Sequence, residues 1–173
     1  MKVSDFMAAV TRNASATGEI PADRMLLAVD CSATGDGDVG DYDIAFVHVE
    51  NVGASLSPKT TDKNYLYEGA STLKTDTQRT FNVTGQRYLG DGFQDFVCGH
   101  SIKFGVGGDV QRNYAYFNID SGAGESGKVT IVTKKDGAAA SGNPTDIEVD
   151  LLVAGTPAEY TYAEPAQVTQ GEG

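Results

Sequence analysis

KVTIVTK (128–134) and TDIEVDLLV (145–153) flank the turn-rich segment DGAAASGNP (136–144), and their reading decides the fold. In the second stretch Ile147, Val149, Leu151 and Val153 alternate with Asp146, Glu148 and Asp150. A period of two marks a strand with one face in the core and the other in water. The pair reads as a β-hairpin with one apolar and one strongly acidic face. With the loop centred, Lys134 and Lys135 fall near Thr145 and Asp146, an opposite-charge pairing worth ~0.2 to 1 kcal/mol.

Working outward, RTFNVTG (79–85) sets Phe81 and Val83 against Thr80, Asn82 and Thr84, a half-buried strand. SIKFGV (101–106), with Ile102, Phe104 and Val106 on one face, and NYAYFNI (113–119) repeat the pattern. MLLAVDC (25–31) reads as an apolar strand turned back by the glycine and aspartate cluster SATGDGDVGD, and YDIAFVHVE (42–50) as the strongest early strand. Between these, the period changes once. Asp91 caps a short helix in which Phe93, Phe96 and Val97 share a face, and Gly99 ends it. The expected fold class is mainly β, a sandwich or barrel of residues 25–155 with one short flanking helix.

Three segments lack a core pattern of their own. Residues 1–24 read as an N-terminal arm with a short amphipathic helix, Val3 to Arg12, whose Phe6, Met7 and Val10 must dock on something. Residues 51–78 read as a long polar loop around the apolar island Tyr65, Leu66 and Tyr67: disordered, functional, or a hairpin that borrows its order from a partner, with the island favouring the hairpin. Residues 156–173 read as a polar tail. All three are expected to make contacts between subunits.

Composition narrows the function. A net charge of −11 and an isoelectric point near 4.4 exclude a protein that grips nucleic acid, which needs clustered Lys and Arg. Residues 25–58 carry six acids and no Lys or Arg, whereas residues 59–112 are close to neutral, so two surfaces of one molecule can face each other. The sequence lacks an 18-residue apolar run and a signal-peptide pattern, which predicts a soluble chain that binds no membrane. Cys31 and Cys98 have neither zinc spacing nor the density of a disulfide scaffold and are expected as small free thiols.

Signals of chemistry are weak. Gly35, Gly37 and Gly40 match a dinucleotide-binding spacing, but Asp36 and Asp38 lie inside it and would repel pyrophosphate. Asp36, Asp38, Asp41 and Asp43 could surround Ca²⁺, though without EF-hand spacing they read as a solvated turn. His48 and His100 are the only histidines, one in an expected strand and one past a helix end. No catalytic, cofactor or metal site is expected, and the chain does not read as an enzyme.

TFNVTGQRYLGDGFQDFVCGH (80–100) resembles the segment of bacteriophage tail tube (major tail) proteins in which a strand passes through a G-x-R-Y-x-G-D turn into a short helix. The resemblance implies a virion tail subunit assembled in the host bacterial cytoplasm. It further implies six copies in a ring, rings stacked into a tube, contacts with other tail proteins, and a genome passing through at ejection. A conduit for DNA must not bind it, so the acidic strand face, Asp146, Glu148 and Asp150, is the candidate lumen lining. The competing class is a capsid decoration, fibre or other virion β-domain that acts as a binding module. A small β-barrel carrier or enzyme would need an apolar cavity with polar anchors.

Overall fold

The structure, a computed structural model, describes residues 1–163; residues 164–173 of the expected tail lie outside the described residues. Ten elements follow in order: α1 (Val3–Ala9), β1 (Met25–Val29), β2 (Asp43–Ile44), β3 (Val49–Tyr65), β4 (Gly69–Gln86), α2 (Gly92–Val97), α3 (His100–Lys103), β5 (Gln111–Asn118), β6 (Ala123–Ala138) and β7 (Asp146–Thr161). The strands form one antiparallel sheet in the order β2-β1-β5-β6-β7-β4-β3.

The fold is mainly β and consists of one curled sheet, without a second stacked sheet among the described residues. Strands β4 and β5 stand three steps apart, about 14 Å in a flat sheet. Yet the Phe81 ring lies 4.9 Å from that of Tyr116 and 5.4 Å from that of Tyr114. Arg79 stacks over Phe81 and Tyr116 and pairs with Glu125 at 2.8 Å, closing the concave side. That side holds the larger core, with Leu27, Val29, Phe81, Val83, Val129, Ile131 and the apolar row of β7 beneath α2. A second core on the opposite face of β1 and β5 packs Leu26, Ala28, Ala115 and Phe117 against Val3 and Met7 of α1.

Several expectations are corrected. Residues 42–50 are not one strand: the ladder stops at Ile44, His48 adopts φ 53°, and β3 starts at Val49. Gly85 fixes this break, because a Cβ there would stand 2.2 Å from the His48 carbonyl oxygen. Of the alternatives for residues 51–78 the structure has the hairpin: they form most of β3 and β4, tipped by 66–68, in place of a loop. Residues 101–106 are not a strand: Ile102 is buried in α3, whereas Phe104 and Val106 are exposed beyond it. Close packing of Gly105 against the Ser101 carbonyl turns the chain there. The tail expected from 156 continues β7 to Thr161.

The arm folds back on its own chain, and its helix ends at Ala9 rather than Arg12. Asp120 fastens it, accepting hydrogen bonds from the Asn13 amide at 2.8 Å and from Nε and Nη2 of Arg24. Arg12 donates to the Ile119 carbonyl, and Arg24 to that of Thr11, so both ends of the 13–21 segment meet at one carboxylate. The Arg24 hydrogen bonds, followed by that of Asn13, depress the Asp120 pKa to about 2.

Phe93, fully buried, is expected to cost ~3 to 5 kcal/mol when replaced by Ala. Phe96 is half-buried beneath Arg112, so F96A is expected to cost about 1 to 2 kcal/mol, both read by urea denaturation. A depressed carboxylate stabilises above its unfolded pKa and loses that contribution as pH falls through the folded one. The melting-temperature gap between wild type and D120N should therefore be constant above pH ~4 and close as pH approaches ~2.

Candidate assembly surface

The turn at Gly90 leads into α2, whose N-cap Asp91 accepts from the Gln94 amide at 3.1 Å. Phe93 and Val97 are buried in the larger core, and Phe96 packs at its margin. The sequence reading missed Gln94, which is fully buried. Its amide donates to the carbonyls of Val47 and Gln86, and its oxygen accepts from the Tyr88 amide at 2.7 Å. This side chain holds the 45–48 crossing, the end of β4 and the helix in one arrangement.

The expected lumen residues Asp146, Glu148 and Asp150 lie on the face of β7 opposite its apolar row. The structure brings them together with two lysines and an asparagine. Lys134 lies 2.6 Å from Asp150 and 3.7 Å from Glu148, Lys135 lies 2.8 Å from Glu148, and Asn82 donates to Asp150 at 2.6 Å. Register shifts in β6 set Lys135 opposite Glu148, rather than beside Thr145 and Asp146 as a centred loop predicts. The Lys135 hydrogen bond lowers the Glu148 pKa; at Asp150 burial opposes the charge, but Lys134 and Asn82 outweigh it and lower the pKa. Glu148 and Asp150 thus share two lysines, and with the exposed Asp146 the face keeps one carboxylate in excess.

The other acidic cluster is mixed in character. Asp43 is buried against Lys2, while Asp36, Asp38 and Asp41 are exposed in the turn. Among the described residues no group of three metal-capable side chains converges. Cys31 and Cys98 are free, and burial raises both thiol pKa values.

Backbone pairing is incomplete on both flanks of the strands β6-β7-β4-β3. Strand β3 pairs only with β4, leaving its outer edge open. Strand β6 pairs with β5 only as far as Thr130, so Ile131–Ala138 is open on that side. The rows Ala54–Phe81–Leu151–Ile131 and Val52–Val83–Val149–Thr133 run straight across all four strands. Both open stretches therefore stand at the same height.

No family model and no curated protein matches the sequence. Solved structures do match. A chain from the tail of an empty gene transfer agent (GTA) particle, obtained by helical refinement with C6 symmetry, superposes with a TM-score of 0.59 at 17% identity. The match covers 83% of this chain and 100% of that one. The protein shares the fold of a GTA tail chain. A chain of the native GTA virion gives a TM-score of 0.55 at 15% identity, covering 84% of this chain and 100% of its own. The resemblance of residues 80–100 to tail proteins is thus joined by a tail-particle fold over most of the chain. In that GTA-like frame Asn82 and Gln94 carried no sequence signal, because an alternating polar residue and a polar helix position both read as solvated.

Proposed function

We infer that this chain is a structural, non-enzymatic subunit of a virion tail tube. Copies join edge to edge, the open β3 of one against the open stretch of β6 of the next, in rings that stack and contact other tail proteins. The carrying observation is the pair of open edges at one height on opposite flanks of a single four-stranded unit. Strand directions alternate across β6-β7-β4-β3, so a rotated copy sets its β6 antiparallel to β3. Such a heterologous contact closes into a ring and removes the edges that an isolated sheet must otherwise protect. Within β3, Pro58 lacks an N–H, and register shifts fall between Val49 and Asn51 and after Lys59, so the unguarded part is Asn51–Ser57, close in length to Ile131–Ala138. The C6 symmetry of the GTA tail supports six copies per ring. The reading includes assembly in the host bacterial cytoplasm.

The face bearing Asp146, Glu148 and Asp150 is then the lumen. Its carboxylates repel phosphate and also occupy Lys134 and Lys135, which leaves neither lysine free to hold DNA.

Negative-stain microscopy of the concentrated protein tests the reading. Rings or tubes with a central hole are expected, and compact monomers at high concentration overturn it. For the lumen, E148Q/D150N should preserve rings yet release both lysines, so that tubes retain DNA at low salt and lose it as salt rises. DNA passage unchanged at low ionic strength would move the lumen to another face.

A further inference from the structure

Of the outer edges of the sheet, the one at β2 is sealed, and the seal is made by the chain's own first residues. Strand β2 is two residues long and pairs on its inner side with β1, Ala28 against Ile44 and Val29 against Asp43. On its outer side the Ile44 amide donates to the Met1 carbonyl at 3.0 Å, and the Val3 amide donates to the Tyr42 carbonyl at 3.0 Å. Lys2 stands opposite Asp43 as an antiparallel bridge. The backbone groups that β2 would present to a second chain are thus occupied.

The seal is anchored by side chains. Lys2 Nζ lies 2.7 Å from the buried carboxylate of Asp43, and the Met1 ammonium lies 3.6 Å from the same group, so both charges that compensate Asp43 belong to the sealing residues. Val3 is fully buried, Met7 nearly so, and Phe6 packs on Phe46 at 5.6 Å. Helix α1 begins at Val3, so the added strand ends at once and offers no length for a further strand to continue. A very short, covered edge is a way natural sheets avoid pairing with other chains.

We propose that residues 1–9 act as an edge guard: by sealing β2 they prevent it from competing with β6 for the open β3 edge of another copy. The inference rests on the edge-to-edge reading for the identity of the competitor, a second copy of this chain. Pairing of β3 with an unsealed β2 would join copies through the wrong flank, and a contact that does not close yields open polymers.

A lock and two releases test the guard. The Ser4 Cβ lies 3.6 Å from the position a Cβ would take at Gly40, inside the span of a disulfide. In S4C/G40C the natural Cys31 and Cys98 compete poorly for oxidation, since burial keeps both protonated. The oxidised lock is expected to assemble as wild type does, with the same particle diameter and the same pelleted fraction. V3E, which places a charge in a fully buried site, and the milder K2A are expected to unseat the guard. They should give irregular polymers and a several-fold larger pelleted fraction, with native circular dichroism in at least K2A. Two results overturn the proposal. One is an oxidised lock that fails to assemble until reduced, which means the arm has to leave. The other is K2A assembling indistinguishably from wild type while hydrogen exchange shows the Ile44 amide unprotected. If wild type itself forms no rings, the tube reading falls, and the guard is still decided by whether the released variants aggregate more than wild type.

Discussion

Along β7, Ile147, Val149, Leu151 and Val153 turn to one side while Asp146, Glu148 and Asp150 turn to the other, and β7 is paired on both flanks over this stretch. Because side chains alternate strictly, a slip of one residue against either neighbour would carry three carboxylates into the core. That constraint fixes the register of β4, which places Phe81 beside Leu151 and Val83 beside Val149. It also fixes β6, with Val129 beside Val153 and Ile131 beside Leu151. The register shifts of β6 then absorb the mismatch at its open end and bring Lys135 opposite Glu148.

Two buried or half-buried polar side chains orient peripheral segments on this unit. Gln94 joins α2 to the end of β4 and to the 45–48 crossing through three hydrogen bonds to backbone groups, made from a side chain that is itself fully buried. Asp120 does the same for the arm. Large apolar surfaces set which elements touch, and these few polar contacts set how they are oriented.

The sequence shows the fold where burial is one-sided. The alternation in 79–85 and 145–153 and the Asp91 cap with Phe93 and Val97 are the consequence of a sheet covered on one face, and the structure places all three accordingly. Residues 51–78 gave no such signal because Leu56, Leu66 and Tyr67 are exposed and both faces of the hairpin beyond β7 meet water. At 101–106 the alternation of Ile102, Phe104 and Val106 fits a strand, but only Ile102 is buried, and the backbone at Gly105 decides otherwise. The break at His48 depends on a close approach between residues far apart in sequence, Gly85 and His48, which no local pattern encodes. The acidic candidates were legible as a face; their lysine partners depend on the bulges of β6 and were not.

The exposed hairpin and the sealed β2 edge answer opposite demands on one subunit. A two-stranded ribbon is marginal in water by itself, and β3 with Gly69–Arg79 of β4 is such a ribbon wherever β7 does not reach. Its Ser, Thr, Lys and Asp side chains keep it solvated, while Pro58 and the shift at Lys59 discourage pairing along its outer half. The inner part, from Asn51 to Ser57, carries neither a proline nor a register shift and lies level with the open part of β6. A chain that guarded every edge would stay monomeric, and one that guarded none would polymerise without order. In the proposed assembly, two edges left open at one height and a third sealed by Met1 to Val3 would restrict association to a geometry that can close.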